Sequence, residues 1–504
     1  MIMKKSLGVI FLLSSLLILL IACNTESDNN SDNETDSSEN DETSEEVTTI
    51  TYLRPGNPPD QNEELINAIN EKLAEDGTNL ELEIEYVPSD AWLDKQTMML
   101  STGEAFDLFP IMEDQKSLTS YVSTGGVMSI NDYLDDYGTN IKKVVPEWMW
   151  DSATYDGDIY TIPANWTTTA DQNNNITLRT ELLEKWDLEV PETRDDLLNM
   201  AKVFTENWEG DASPVVIPMF SEPFYFLFRT MDTYPFTVLD DLIYIDQEGN
   251  VENWMETEEF KISVDFFREL YENDYIPKDI LGKPDGWTWD QMVSGDFIWV
   301  DEVQLWDSAE VWNERIEGVE LDVIYLNPEA PVFRDFSFRN STAVSATSEN
   351  PAEAVQFMDW VYASQENYDL MVYGIEGVTW QDEGEGSFTK LIPDFEFNED
   401  WMIGNLEYTR YEVGTYERFI EIMGTEKTED VIDSKVLDFN FDPSEVSTEY
   451  QNSLAEVSGS IYPLKLGVVS YEDGYEDALK KLKAAGIDKV IEEYQSQLDE
   501  HLNK

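Results

Sequence analysis

Cysteine, histidine and positive charge are almost missing from this chain: among 504 residues there are one Cys, one His, and 31 Lys and Arg against 106 Asp and Glu. A single cysteine, Cys23, excludes an intramolecular disulfide, so stability must come from burying the 41% of residues that are apolar. His501 stands alone near the C terminus, which excludes a histidine-based triad and a histidine-containing metal centre. The formal charge of −75 excludes a nucleic-acid binder, because phosphate binding is driven by Lys and Arg releasing counterions. It also disfavours adhesion to anionic lipid headgroups. No Gly-x-x-x-x-Gly-Lys loop and no Gly-x-Gly-x-x-Gly turn after a strand is present, so no cofactor is expected. The acids are spread along the chain and read as a solvating coat suited to a saline or alkaline medium. The length exceeds the roughly 250–300 residues at which one core stops growing, which predicts two lobes.

What is present begins with a secretory pattern. Lys4 and Lys5 precede a run from Leu7 to Ala22 that is apolar but for Ser14 and Ser15. That run falls short of the ~20 apolar residues a comfortable span needs. Cys23 directly follows Leu20-Ile21-Ala22, and this resembles the lipobox of bacterial lipoproteins. The resemblance implies cleavage before Cys23 and a diacylglyceryl group on its sulfur, which holds a protein on a membrane and removes the thiol from chemistry. From Asn24 to Glu46 the chain contains only Asn, Thr, Glu, Ser and Asp, too polar to fold, and reads as a self-repelling spacer.

Folding is expected from Val47. A β-branched strand reaches Leu53, and the loop Arg54 to Pro59 follows. A helix then carries Leu65, Ile66, Ile69 and Leu73 on one face and ends at Gly77. A half-solvated strand from Leu80 to Val87, a helix from Ala91 to Leu100 and a strand from Phe106 to Ile111 complete a β–α–β–α–β order. That order predicts a parallel sheet flanked by helices. Asp156-Gly157 marks a type I′ hairpin turn. Thr193 reads as the cap of a helix whose positive end Asp195 and Asp196 favour. The densest aromatic region holds Phe220, Phe224, Tyr225, Phe226, Phe228, Tyr234, Phe236 and Trp254. Phe338 to Ser345 reads as a strand returning to the first lobe, and the amphipathic helix Glu476 to Leu502 breaks at Gly486.

Several segments resemble the extracellular solute-binding lipoproteins of carbohydrate-type ABC importers. They are Ser101-Thr102-Gly103-Glu104-Ala105-Phe106-Asp107, the Asp-Gly hairpin ending in Ile162-Pro163, Ser345-Ala346-Thr347-Ser348-Glu349-Asn350-Pro351, and above all Tyr373-Gly374-Ile375-Glu376-Gly377. The hairpin departs from the usual pattern in having Asp158 where a lysine is common. The last stretch resembles the turn of a Gram-positive subgroup with its own C-terminal domain, and Gly486 to Val490 with Tyr494 to Leu498 resemble that subgroup's closing helix. The resemblance implies an α/β, two-lobed, periplasmic-binding-protein-like fold of type 2. Each lobe would be a mostly parallel sheet, and the lobes would be joined by crossing segments and close on a ligand. Expected boundaries are 1–22 for the signal, 23–46 for the spacer, 47–163 for lobe 1 and 164–335 for lobe 2. Residues 336–504 are expected to return to lobe 1, supplying hinge crossings and C-terminal helices.

Sugars need flat rings against their C–H faces and polar groups around their rim. Candidates in polar loops are Arg54 and Asn57 after the first strand; Asn165 and Trp166 after the hairpin; Trp287 and Trp289, which alternatively cap a helix; Arg339 and Asn340 at a second crossing; Glu376 and Trp380 in the subgroup turn; and Tyr225 and Arg229, which alternatively belong to a core. No catalytic or metal residue is assigned. Asp171 to Asn175 has a trace of a calcium loop but Ile176 where glycine is required. The expected partners are a sugar or oligosaccharide and ABC permease subunits, with the chain a monomer. A surface glycosidase or lyase, and a peptide receptor of the same fold, are the alternatives.

Overall fold

The computed structural model describes residues 47–503, apart from 114, 172–173, 210–214, 217–223, 284–286, 302–304, 306–307, 393–399 and 425–429. The stretches expected to be signal and spacer, with Cys23, and Phe220 lie outside the described residues.

The first strand is built of β-branched and aromatic residues, which favour an extended backbone. This strand, β1 (Thr48–Pro55), pairs in parallel with β2 (Leu80–Val87) over its whole length and with β3 (Leu108–Met112) at Tyr52 and Leu108. Helices α1 (Asn62–Glu75) and α2 (Trp92–Thr102) make the crossovers. Gly77 (φ 73°) and Gly103 (φ 74°) follow them in the left-handed conformation that glycine adopts without strain. The strand Asn340–Val344 returns antiparallel to β3 and to the short strand Ile162–Pro163. Side-chain alternation gives this sheet two apolar faces. Ile50 and Tyr52 join Leu65, Ile69 and Leu73 on one, while Leu53 joins Trp92, Phe109 and Ile111 on the other.

The second lobe has a four-stranded sheet ordered Leu321–Ile324, Ile176–Arg179, Phe297–Asp301, Val215–Val216. Only the last pairing is parallel, so this sheet is mixed where a mostly parallel one was expected. The dense aromatic region is its core: Phe224, Phe226, Phe228, Phe236 and Trp254 pack on Phe260, Phe266 and Phe267 of the helix Glu258–Glu272.

Residues 46–504 form one compact unit that contains both lobes and all three apolar cores. The C-terminal residues divide differently from the sequence-based boundary. Met402 and Ile403 belong to a first-lobe core, but Phe419, Val446, Leu482, Val490 and Leu498 join the second-lobe core. The apolar stripes of the helices Tyr471–Ala485 and Ile487–Leu502 find their partner in the second lobe, which periodicity alone does not specify. Gly486 (φ 113°) turns the chain between them. Asp156 and Gly157 both have positive φ, as the hairpin turn requires.

Candidate functional site

Three stretches carry the backbone between the two sheets. One leaves Ile162–Pro163 for Ile176–Arg179, one leaves Leu321–Ile324 for Asn340–Val344, and one runs onward from Ile403 to the helix Glu417–Met423. They are stitched to one another. Asn165 bridges Asn405, and Leu406 N donates to Asn165 O at 2.8 Å; Ala170 bridges Arg334, and Asp171 N donates to Phe333 O at 2.7 Å. Tyrosines anchor the third crossing to the first lobe. Tyr362 donates to Ile403 O at 3.0 Å, and Tyr368 Oη accepts from Asn405 N at 3.0 Å. Burial pushes both phenols up, so they stay neutral.

The first two crossings pass the edge where β1 and β3 end. Open α/β sheets bind ligands beyond the carboxyl ends of their strands. Asn165, Trp166, Arg339 and Asn340 all lie there. The half-buried Trp166 donates its indole N–H to Asn340 Oδ1 at 3.2 Å. Its Cβ rests against Gly404, where any added Cβ would collide with Trp166 and with the Asp400 carbonyl. Asn340 is 8% exposed, and its carbonyl accepts from Ala164 N at 3.0 Å. The Arg339 guanidinium lies 4.9 Å from the Phe336 ring centre.

Pleat alternation sets Arg54 and Asn340 on the same face as Tyr52 and Thr342, whose hydroxyls meet at 3.2 Å. Arg54 is buried, its guanidinium 5.8 Å from the Tyr86 ring, and Asn57 is exposed in the loop beyond. Asn165 Oδ1, Thr168 Oγ1 and Ser341 Oγ are buried without a hydrogen-bond partner among the described residues. Thr168 and Ser341 are fully buried and Asn165 nearly so, so these oxygens lie beneath the crossings rather than on an open face.

The remaining candidates lie elsewhere. Trp287 and Trp289 begin the helix Trp287–Ser294, which leads into the strand Phe297–Asp301. The helix joins that strand beside Arg179, whereas the first crossing enters at the strand's other end, where Asp301 pairs with Ile176. Trp287 packs on the second-lobe core under Lys283, while Trp289 is 37% exposed, edge-on to Trp312.

Arg229 is a structural residue. Its Nη1 bonds Asp171 at 2.9 Å, and its other N–H groups go to the carbonyls of Leu326, Asn327, Ala330 and Pro331. All five donors of the guanidinium are therefore used. Asp171 also accepts from Phe333 N at 3.0 Å. The acid of the calcium-like loop is thus committed within the protein, and the described residues hold no metal-binding cluster. Tyr225 sits beside Phe228 with its hydroxyl toward Val238 O.

Trp380 is 3% exposed, wedged among Tyr373, Phe388 and Arg410 and bonded to Gly374 O. Glu376 is exposed, its carboxylate accepts from Gln381 at 3.4 Å, and its backbone bridges Trp380. The turn is a packing device, with Gly374 and Gly377 at positive φ. Sequence reading missed Gly404 and Asn405. Their one signal was a Gly-Asn punctuation after an apolar run.

A family model for bacterial extracellular solute-binding proteins matches residues 57–368. The chain belongs to this family. A second model, a domain of unknown function (DUF3502), matches residues 435–503. Among curated proteins, the chain is 23% identical over 467 residues to a carbohydrate ABC transporter substrate-binding protein of Streptococcus pneumoniae serotype 4 (strain ATCC BAA-334 / TIGR4), covering 89% of each. It is 23% identical over 452 residues to the polygalacturonan/rhamnogalacturonan-binding protein YtcQ of Bacillus subtilis (strain 168), covering 83% of this chain and 85% of that one. The crystal structure of the N-glycan transport solute-binding protein NgtS from Streptococcus pneumoniae shares its fold, with a TM-score of 0.75, 21% identity, and coverage of 91% of this chain and 99% of that one.

Proposed function

We propose that this protein captures an extracellular oligosaccharide at the carboxyl edge of its first sheet, between the two lobes, and passes it intact to an ABC permease. The observation that carries this reading is the Trp166–Asn340 pair. A half-buried ring is held on a crossing segment by a hydrogen bond from its own edge to Asn340 Oδ1. Such a ring offers a sugar a flat apolar face, and the neighbouring amides and hydroxyls offer its rim hydrogen-bond partners. The similarity to a carbohydrate transporter's substrate-binding protein and to a polygalacturonan/rhamnogalacturonan-binding protein supports the same class. Asn57, Arg54, Arg339 and Trp289 are proposed as further contacts. Cys23 is proposed to carry the lipid that keeps the protein at the outer face of the membrane, and the protein to act as a monomer without cofactor or catalysis. A thermal-shift screen of plant and algal oligosaccharides against residues 46–504 tests this. A reversible rise in melting temperature with one sugar class, and no new products, is expected. Cleavage of the sugar would replace the receptor with an enzyme.

A further inference from the structure

Residues 435–503 match a model with no assigned function, yet their contacts are specific. They are riveted to the second lobe. Lys465 is fully buried with Nζ 2.5 and 2.6 Å from the Asp241 carboxylate, and Tyr450 donates to Asp240. Arg268 donates to the carbonyls of Gly467 and Val468 at 2.9 and 3.1 Å. Gly467 lies so near the helix Glu258–Glu272 that a Cβ there would collide with the Phe267 backbone. Leu482, Val490 and Leu498 complete the attachment inside the second-lobe core.

The segment leading into this unit has other partners. The strand Val431–Asp433 pairs in parallel with Val332–Arg334 on the second crossing. Leu437 O then accepts from Ser152 Oγ at 2.6 Å and from Ser337 Oγ at 3.1 Å, and Asn440 Nδ2 donates to Thr154 O at 3.2 Å. Ser152 ends the helix Glu147–Ser152, whose Met149 lies in a first-lobe core, and Thr154 follows it. Phe439 and Phe441 plug back into the C-terminal unit, 5.2 and 4.7 Å from the Tyr494 ring, and Asp438 meets His501 at 3.1 Å. Arg334 repeats the linkage: it lies 4.1 Å over Trp148 of the first lobe and pairs with Asp433 at 3.0 Å.

We infer that the C-terminal unit is a brace: fixed to the second lobe, it grips the first through the strap Leu437–Asn440 and sets how far the lobes part in the free protein. The three crossings are covalent and let the lobes pivot. The strap adds a fourth tie made of side chain–carbonyl hydrogen bonds, which can break without unfolding either lobe. A tie of this kind biases the equilibrium between open and closed forms, and the competent fraction scales the apparent affinity for any ligand.

The test needs no sugar, so it stands apart from the proposed function. Residues 46–504 contain no cysteine, so nitroxide labels can be placed at Glu71→Cys on the first lobe and Glu314→Cys on the second, both exposed helix positions. Pulsed electron paramagnetic resonance then reads the distance between the lobes. Combining Ser152→Ala with Asn440→Ala should broaden and shift the distribution, while Ser152→Thr, which keeps the hydroxyl, should retain the parent distribution. An unchanged distribution in the double variant, with parental circular dichroism, overturns the brace. If the double variant does not fold, Asn440→Ala alone supplies the same comparison, with broadening in favour and no change against.

Discussion

Trp166 and Arg229 illustrate two fates of a polar or aromatic candidate. Trp166→Ala should weaken oligosaccharide binding about 10- to 100-fold, roughly 1.4–2.7 kcal/mol, and isothermal calorimetry would read it. Asn340→Ala should act in the same direction, because it frees the indole N–H that fixes the ring. Unchanged affinity in both variants places the site elsewhere. Arg229→Ala should instead lower stability by about 3–5 kcal/mol in urea unfolding, since it removes the opposite charge that offsets the buried Asp171 carboxylate. The affinity of the folded fraction should be unaltered. Asn165 and Trp166 were legible as crossing residues because they follow a recognisable hairpin in a polar loop, and Arg339 and Asn340 because they open a recognisable returning strand. Arg229 and Trp380 were not, because a sequence does not reveal whether carbonyls from distant segments satisfy a guanidinium or whether an indole is walled in.

At the element scale, the helix Arg194–Asn207 shows how local chemistry fixes a boundary. Thr193 Oγ1 accepts from Asp196 N at 3.2 Å, and the Asp196 carboxylate accepts from Thr193 N at 3.0 Å, a reciprocal cap. Thr193→Ala should cost about 0.5–2 kcal/mol. The Asp196 carboxyl is held below its usual value, first by the Thr193 side chain. The folded chain therefore takes up this proton less readily than the unfolded one. The carboxylate's share of the cap is full above the ordinary carboxylate range near about pH 4 and is lost as pH falls through the lower folded value. The gap between parent and Thr193→Ala melting curves should therefore narrow in acid without closing, because the Asp196 N–H bond to Thr193 Oγ1 does not titrate; a gap that keeps its neutral-pH size would contradict this.

Elements with clear periodicity, β1 through β3 and the capped helix, were readable ahead of the structure. The aromatic region was not. Its strands Thr237–Leu239, Ile243–Ile245 and Val251–Asn253 are three residues each, too short to display a period.

For the whole molecule, the charge of −75 is a self-repulsion that folding must overcome. Raising ionic strength from about 0.01 M to 1 M shortens the screening length from about 30 Å to 3 Å, so the melting temperature should rise with salt. A flat or falling dependence would show that the acids are locally compensated. Two lobes were legible from length, but the home of the C-terminal helices was not, because an amphipathic stripe does not name its partner.

The account rests on two lobes closing over an unaltered sugar. Small-angle scattering of residues 46–504, free and saturated with the sugar found by thermal shift, tests it most directly. The predicted result is a smaller radius of gyration at saturation, with the sugar recovered intact. An unchanged radius of gyration at full occupancy would contradict it.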